Sequence, residues 1–270
     1  MPPSFGTMLA RLREKRPLIH HITNDVVTHI TANATLAAGA SPIMAKALEE
    51  VEEVARQVDG LVLNIGTLTP AQVEAMKAAG KAAKERGIPI VLDPVGYGFT
   101  ALRTQATHEL LSEVKPTVIR GNQGEIGLLA GGKAAVKGVE GRGDDPQEMD
   151  RLTIELAKRE QAVVAMTGPE DRISDGERLL VLKRGHPAMA TITGSGCMAT
   201  AVVASWVAAF PEDPLWATAG ALAAFSLAGE KAAAHSRGLG SFTAELLDAL
   251  AALTPEELDS LEAEIHERSL

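Results

Sequence analysis

Residues 60–95 read GLVLNIGTLTPAQVEAMKAAGKAAKERGIPIVLDPV, and this stretch decides the fold. Its two ends are short apolar runs rich in valine, leucine and isoleucine, as buried strands are. Between them, residues 70–86 are patterned as a helix that begins after a good N-cap, Thr69, with proline at its first position, and ends at Gly87. Two strands joined by a helix predict a right-handed crossover within a parallel sheet.

The same alternation extends through the first two thirds of the chain. The predicted strands are 17–23, 60–66, 88–95, 116–121 and 162–168. The predicted helices are 25–39, 49–57, 70–86, 103–113, 122–130 and 147–160. Strands that alternate with helices indicate an α/β fold, with a mostly parallel central sheet flanked by helices.

The pattern changes after this region. Residues 170–185, EDRISDGERLLVLKRG, alternate around an Asp-Gly pair and predict a β-hairpin added at an edge of the sheet. We expect only helices after the hairpin. These predicted helices are 196–210, 214–236, 242–252 and 255–267, and a capping-box sequence opens the last of them.

The chain shows no internal repeat and no low-complexity linker. Residues 131–146 form the only long polar, glycine-rich stretch, and we expect a surface loop there, inside one domain. The predicted organisation is therefore a single α/β domain over residues 1–270.

Composition limits the classes of function. The 270 residues carry a net charge of −9, so nucleic acid is not an expected partner. A single cysteine excludes an internal disulfide and a cysteine-rich zinc site, and it fits a reducing compartment such as the cytoplasm. The N-terminal segment lacks the features of a signal peptide, and the alanine-rich stretch 215–229 is too short and too polar at its ends to span a membrane. We expect a soluble, cytoplasmic protein.

Chemistry is expected at the carboxyl ends of the predicted strands, because loops converge there in open parallel sheets and the following helices present their N-termini. Four candidate segments occupy such positions, at 64–67, 93–96, 120–125 and 167–168.

A further candidate is the run TITGSGCMAT, residues 191–200. Gly194 and Gly196 leave the backbone around Ser195 uncovered, and a helix beginning near 196 supplies free N–H groups that suit phosphoryl oxygens. The run is not a Walker A loop, since it lacks the required spacing and lysine. A glycine-rich helix entry needed only for packing is the alternative.

Six runs together resemble one protein family. They are HHITNDVVTHITANATLAAGASPIMA (20–45), DPVGYG (93–98), RGNQGEIGLL (120–129), AMTGPEDRISDG (165–176), GHPAM (185–189) and TITGSGC (191–197). In this order and spacing they resemble hydroxyethylthiazole kinase, a thiamine-salvage family of the ribokinase-like superfamily. The resemblance covers about residues 10–250.

The resemblance implies ATP-dependent phosphorylation of the hydroxyl of 4-methyl-5-(2-hydroxyethyl)thiazole, with Mg²⁺, in a homotrimer whose substrate pockets lie between subunits. It places ATP contacts on Arg120 and Thr167, and Mg²⁺ and phosphate handling on Asp93 and Glu125.

Thiazole contacts fall, by the same resemblance, on Met44 and Gly194. We add Asn24, whose segment borders the neighbouring subunit's pocket in the family, and Gly66 at a strand end, to the candidate substrate-binding residues.

The residue types suit these roles. The guanidinium of Arg120 can fork onto phosphate oxygens, whereas its alternative is a surface ion pair. Asp93 and Glu125 can hold Mg²⁺ together with water and phosphate, and helix capping is the alternative for Glu125. Thr167 offers a hydroxyl beside a nucleotide or belongs to a simple turn. Met44 suits a sulfur heterocycle or the core.

Histidines near the N-terminus suggest a metal cluster, which we reject. His20 and His21 are adjacent on a predicted strand, so they point to opposite faces and only one can join a given site. A helix N-cap by Asn24 or Asp25 is the preferred interpretation of this segment.

Cys197 occupies a place at which many superfamily members carry an aspartate that acts as the base toward the alcohol. With Gly194, Ser195 and Gly196 it forms the candidate catalytic run. The helix N-terminus lowers the expected pKa of the thiol by about one unit, which favours partial thiolate near neutral pH, and a nearby phosphate opposes this shift. The direction of the net shift stays open.

Three other functions remain open. One is a kinase for another small alcohol, such as hydroxymethylpyrimidine or pyridoxal. Another is a cysteine hydrolase that uses Cys197 with a histidine such as His186. The last is a ligand-binding or assembly protein that keeps the fold without turnover.

Overall fold

The computed structural model describes residues 2–132 and 145–268. Its strands are β1 (Leu18–Ile22), β2 (Ser41–Ile43), β3 (Gly60–Asn64), β4 (Ile90–Asp93), β5 (Val118–Asn122), β6 (Val163–Thr167), β7 (Asp171–Ser174), β8 (Leu179–Leu182) and β9 (His266–Arg268). Its helices are α1 (Phe5–Lys15), α2 (Thr28–Ala38), α3 (Val51–Ala55), α4 (Pro70–Arg86), α5 (Ala101–Glu113), α6 (Gln123–Leu129), α7 (Pro146–Glu160), α8 (Ser195–Ala209), α9 (Pro214–His235), α10 (Leu239–Ala252) and α11 (Pro255–Asp259). Short 3-10 turns cover Pro187–Thr191 and Glu262–Glu264.

The strands form one sheet in the order β2-β1-β3-β4-β5-β6-β7-β8-β9. Neighbours from β2 to β6 are parallel, and β6 to β9 are antiparallel. The predicted crossover over residues 60–95 is present as β3, α4 and β4, and Thr69 caps α4 through its side chain. The predicted parallel sheet with an added hairpin, β7 and β8, is confirmed.

The C-terminal prediction is wrong. The predicted helix 255–267 ends at Asp259, and β9 pairs with β8, where Leu179 lies opposite Arg268. The pairing gives hydrogen-bond partners to the outer side of β8, which would otherwise be unpaired. This gain outweighs the weak helical pattern of the last residues of 255–267. The predicted loop 131–146 cannot be compared in full, because 133–144 lie outside the described residues.

Two elements were absent from the predictions. Helix α1 buries Phe5, Met8 and Leu12, and β2 adds a short parallel strand outside β1. Helix α2 begins at Thr28, three residues later than predicted, with Val27 at the N-cap and no side-chain cap. The predicted caps Asn24 and Asp25 instead belong to the turn that precedes this helix.

Buried side chains form a core on each face of the sheet. One core joins the small-residue helices α8 and α9 with α1 and with strand residues such as Val62 and Val91. The other joins α4 and α5 with Leu63 and Leu92, the next residues of the same strands. This alternation is the two-residue period of a strand covered on both faces. The abundant alanine on α8 and α9 lets these helices approach closely, as the composition indicates.

Within residues 2–132 and 145–268, every helix falls short of the length and apolarity needed to cross a bilayer.

A paired glycine substitution tests the packing of α9. A Cβ at Gly220 would lie 2.7 Å from Trp206 and 2.8 Å from Phe5, so Gly220→Ala should lower the free energy of unfolding by about 1–3 kcal/mol. A Cβ at Gly127 in α6 would stand in open space, so Gly127→Ala should raise the free energy of unfolding by up to about 1 kcal/mol. Urea denaturation followed by circular dichroism measures both, and equal effects would contradict the packing account.

Candidate active site

Four neighbouring parallel strands carry polar residues near their carboxyl ends, on one side of the sheet. Asn64 and Asp93 are paired in register at the ends of β3 and β4, and Arg120 and Thr167 lie on β5 and β6. The first two turns of α8 face these strand ends through Gly196, Cys197 and Thr200. The structure therefore brings together most of the predicted catalytic, ATP-binding and metal residues.

Asp93 is the most buried charged group of this site. Its Oδ2 accepts hydrogen bonds from Asn64 Nδ2 at 2.9 Å and from Thr200 Oγ1 at 2.8 Å, and Arg120 Nη1 lies 4.0 Å away. Burial raises the pKa of the Asp93 carboxyl, while Arg120 opposes the shift. Its second oxygen, Oδ1, is buried and has no hydrogen-bond partner among the residues that the structure describes. A buried, unpaired carboxylate oxygen is a suitable ligand for a cation.

Asn64 connects this carboxylate to the rest of the site. Its amide nitrogen also donates to Cys197 Sγ at 3.2 Å, and its Oδ1 accepts from Asn24 Nδ2 at 2.8 Å and from the Gly66 backbone at 3.0 Å. Asn24 in turn uses Oδ1 to accept from the Val26 backbone at 3.1 Å. The side-chain amides of both asparagines thus make hydrogen bonds that fix the site.

Cys197 lies in the first turn of α8, beside the two asparagines. Asn24 Nδ2 lies 3.7 Å from its sulfur. Burial, with the nearby Asp93 charge as the second cause, raises the pKa of the Cys197 thiol to about 11, although both amides oppose the shift. The net shift of the pKa, whose direction the sequence left open, is therefore upward, against the partial thiolate that the helix end alone favours. Desolvation outweighs the effect of the helix N-terminus.

The environment of Cys197 does not support a cysteine hydrolase. In the part of the chain that the structure describes, the hydrogen bonds to its sulfur come from Asn24 and Asn64, and none comes from a histidine. His186 accepts from the backbone of Ala188 at 3.2 Å instead. A nucleophilic thiol needs an adjacent base or a lowered pKa, and Cys197 has neither here.

The N-terminus of α8 is left open by glycine. Gly194 occupies the N-cap with φ 86°, a left-handed conformation, and has no side chain to cap the helix. A Cβ at Gly196 would lie 2.6 Å from Arg120 Nη1, so only glycine allows the guanidinium to approach the first turn this closely. The helix end and Arg120 together form a positively polarised surface.

This surface lines a cavity of about 560 Å³. Arg120, Thr167 and Gly196 contribute to its polar end, and Met189 and Phe225 are among the apolar residues that line it. A cavity with one charged end and an apolar wall matches a molecule that carries a phosphate on a flat apolar group.

Arg120 is oriented toward this cavity from a buried position. Its exposed fraction is 8%, and its Nη2 donates to Thr167 Oγ1 at 2.5 Å. Its Nε is buried without a partner. The alternative of a surface ion pair is therefore excluded for Arg120, and Thr167 acts as its hydrogen-bond acceptor rather than as part of a simple turn.

Glu125 is used for structure in this conformation. Its Oε2 accepts from the backbone of Asn122 at 2.9 Å in a capping box, and its Oε1 accepts from Gly96 at 2.8 Å. The second bond ties the loop after β4 to the start of α6. Its charge also raises the pKa of Asp93, which places Glu125 within electrostatic reach of that carboxylate.

The donor set fits Mg²⁺ only as an ion shared with a phosphate. Across the described ranges, no group of three or more His, Cys, Asp or Glu residues is arranged to hold a metal. The unpartnered oxygen of Asp93 and the neighbouring Glu125 fit an ion that takes its remaining ligands from phosphate and water.

Three of the four predicted substrate-binding residues lie together. Asn24, Gly66 and Gly194 surround the Cys197 end of the site, where Gly194 packs toward Val27. Met44 is half-buried and follows β2, the outermost strand at the opposite edge from the hairpin. It does not line the cavity that contains Arg120.

The two histidines of β1 are structural. The His20 ring bonds the Ala45 carbonyl at 2.8 Å, and the His21 ring bonds Thr35 Oγ1 at 3.0 Å. Burial lowers the pKa of His20, and it lowers that of His21 to about 3, so both rings are neutral. The rejection of a metal cluster agrees with these separate partners.

Sequence reasoning missed several residues of the site. Arg103 donates to the carbonyls of Ile65 and Gly66 at 3.0 and 2.5 Å, and so fixes the loop after β3. Thr200 lies among small residues of α8, and nothing in that pattern marked it as part of the site. Asp171 lines the cavity and accepts from Gly168 at 3.1 Å, and burial raises the pKa of its carboxyl to about 7. Its position just after the predicted strand end at 167–168 was the available signal.

Comparison with known proteins agrees with this geometry. The model of the hydroxyethylthiazole kinase family matches residues 9–256. A hydroxyethylthiazole kinase of Thermoanaerobacter sp. (strain X514) is 52% identical over 256 residues, which cover 93% of this chain and 96% of the relative. One from Rubrobacter xylanophilus is 50% identical over 251 residues, 93% of each chain.

Solved structures support the same fold. The hydroxyethylthiazole kinase of Pyrococcus horikoshii OT3 superposes with a TM-score of 0.87 at 41% identity and covers 98% of both chains. A ribokinase-like protein of Enterococcus faecalis, 15% identical, shares the fold with a TM-score of 0.62 over 92% of this chain and 95% of its own. The family model matches most of the sequence, and the relatives are about 50% identical to it. This chain therefore belongs to the hydroxyethylthiazole kinase family.

Proposed function

We propose that this protein transfers the γ-phosphoryl group of ATP to the hydroxyl of 4-methyl-5-(2-hydroxyethyl)thiazole, a reaction of thiamine salvage. Membership of the family supports this function. The observation that carries it is the convergence of the open α8 N-terminus and the buried guanidinium of Arg120 at one end of a cavity, with the Asp93 carboxylate 4.0 Å from that guanidinium.

ATP binds with its phosphates at the polar end of the cavity. Arg120 has an unpartnered Nε to offer, and Thr167 holds the guanidinium in place. The backbone N–H groups at the start of α8 have no helical partners, so they can donate hydrogen bonds to phosphate oxygens. The apolar wall that includes Phe225 and Met189 covers the base.

Asp93, with Glu125 nearby, would hold Mg²⁺ together with phosphate oxygens. The ion would neutralise negative charge on the phosphates. The protein's own part is to keep the Asp93 carboxylate in place through Asn64 and Thr200, and to keep the loop after β4 against Glu125 through Gly96.

The thiazole alcohol binds on the Cys197 side, against Asn24, Gly66 and Gly194. Met44 follows β2, which pairs with β1, the strand that ends just before Asn24. We propose that Met44 borders this pocket, and that the pockets lie between subunits of the homotrimer that the family resemblance implies. We also propose the cytoplasm as its location, because an unpaired thiol is stable in a reducing compartment.

As the alcohol oxygen bonds to the γ-phosphorus, the bond to the ADP oxygen breaks and the alcohol proton leaves. The thiolate form of Cys197 is the acceptor for that proton. Its raised pKa leaves little thiolate at neutral pH, so only a small fraction of Cys197 can accept the proton there. Phosphoryl transfer passes through a loose transition state in most analyses, in which positioning and charge neutralisation dominate, so a small thiolate fraction suffices.

Turnover of alternative alcohols tests the substrate. In a coupled assay of ADP release, the thiazole alcohol should give a higher kcat/KM than hydroxymethylpyrimidine or pyridoxal, because the chain belongs to the hydroxyethylthiazole kinase family. The control is ATP without any alcohol. Preferential turnover of either competitor would replace the proposed substrate, and ADP binding without turnover of any alcohol would indicate a binding protein.

Replacement of Asp93 tests the phosphate site. Asp93→Asn removes the charge that holds the cation, so kcat should fall by about two to three orders of magnitude. The melting temperature should not fall, because the variant no longer buries a carboxylate whose pKa is raised. Asp248→Asn, an exposed change of the same charge on α10, is the control. A kcat within tenfold of the wild type would remove Asp93 from the mechanism.

Cys197 variants test the proton acceptor. Cys197→Asp should retain or raise phosphoryl transfer, and Cys197→Ala should retain some, because the base contributes less than positioning. The thiolate fraction grows as pH rises toward a pKa of about 11, so the wild-type kcat should increase between pH 6 and 9. The kcat of Cys197→Ala should stay flat over the same range. Complete loss of turnover in a folded, trimeric Cys197→Asp protein would contradict this role.

A further inference from the structure

We propose that Glu264, in the segment that follows α11, is a positioning residue for the nucleotide. It acts through Arg184 and Glu230, which fix the wall of the cavity at Gly185. The proposal rests on the proposed function only in placing a nucleotide in this cavity.

Arg184 and Gly185 both line the cavity, on the stretch that connects β8 to the 3-10 turn Pro187–Thr191. The Arg184 guanidinium is held between two carboxylates from distant parts of the chain. Its Nε donates to Glu230 of α9 at 3.0 Å, with a second bond from Nη2 to the same carboxylate. Its Nη1 donates to both oxygens of Glu264, at 2.8 and 2.9 Å.

This arrangement leaves Arg184 unsuited to binding phosphate. Two carboxylates outweigh its single positive charge, and both occupy its donors in the forked geometry that guanidinium favours. Arg120, by contrast, has a buried Nε without a partner and Asp93 at 4.0 Å. The phosphate-binding cation is therefore Arg120, and Arg184 has a structural task within the same cavity.

That task is to hold one carboxylate in place. Glu230 Oε1 accepts from Arg184 and also from the Gly185 backbone N–H at 2.8 Å. The residue before it, Gly229, allows Met189 to pack against α9, since a Cβ there would lie 2.3 Å from the methionine sulfur. Glu230 thus fixes the position of Gly185, and Gly229 beside it makes room for Met189; both Gly185 and Met189 line the cavity.

Glu264 completes this arrangement from outside the part of the chain that the family model matches. That match ends at residue 256, whereas Glu264 lies in the 3-10 turn Glu262–Glu264 just before β9. The segment is anchored on its other side, because β9 pairs with β8 and Arg268 Nη1 lies 2.6 Å from Asp150 Oδ2. A segment beyond the family-model match thereby contacts Arg184 in the wall of this cavity.

The central test measures nucleotide affinity directly. Glu264→Gln should weaken ADP binding, measured by titration calorimetry, by about two- to fivefold, the range that a partly exposed ion pair allows. The KM for ATP should rise by the same factor, while kcat and the KM for the thiazole alcohol stay unchanged. Glu267→Gln, an equal change of charge on β9 at an exposed position, should leave ADP affinity unchanged.

Two further variants show whether Glu264 acts through Arg184. Glu230→Gln weakens the bonds to both Arg184 and Gly185, so it should reduce ADP affinity more, by about tenfold. In an Arg184→Met background, Glu264→Gln should have no additional effect, because its partner is absent. Equal melting temperatures of Glu264→Gln and Glu267→Gln show that the difference is not one of folding.

Unchanged ADP affinity in Glu264→Gln would overturn the inference, as would an equal loss in Glu267→Gln. A fall in kcat with unchanged ADP affinity would overturn it as well. Calorimetry with ADP needs no thiazole turnover, so a protein that binds ADP as described but phosphorylates no thiazole would refute the proposed function alone. A wild-type protein that binds no ADP would refute both.

Discussion

The site depends on one buried carboxylate. Asp93 stands at the end of a central strand with 1% of its surface exposed, and a charge in that position is costly unless other groups compensate it. Asn64, Thr200 and the more distant Arg120 supply the compensation from three separate elements. It is incomplete, because one carboxylate oxygen has no partner. The fold therefore holds an anionic group that gains from a cation, and the positions of its neighbours follow from that requirement.

The same balance explains how an acidic protein can bind an anionic nucleotide. A net charge of −9 provides no attractive field for phosphate, so attraction must arise locally. The glycine N-cap of α8 leaves the helix N-terminus open, and Gly196 admits the Arg120 guanidinium beside it. Within a few ångströms of these positive groups, however, the Cys197 thiol has its pKa raised by burial and by Asp93. The positively polarised surface and the small thiolate fraction of the candidate base thus have one origin, the close packing of this helix end on the strand ends.

Much of the architecture could be predicted because it depends on local pattern. The crossover at 60–95 carries its own cap, Thr69, and its own terminator, Gly87, so both strands and the helix were recognisable. The candidate residues at strand ends were recognisable for a related reason, since parallel strands bring their carboxyl ends to one edge. Predictions were wrong where partners are distant: β9 exists because β8 needs an edge partner, and α2 begins late because Asn24 is engaged with Asn64, 40 residues away.

The sequence by itself determined the alternation of strands and helices, the acidic charge, the single thiol and the polar residues that end successive strands. Only the tertiary structure decided which of these residues touch and how strongly they ionise. Cys197 and Asn64 are 133 positions apart, and Arg184 and Glu264 are 80 apart, so no local pattern contains either contact. The pKa of a thiol follows from how much water surrounds it and which charges lie near it, and both quantities are set by packing between distant segments.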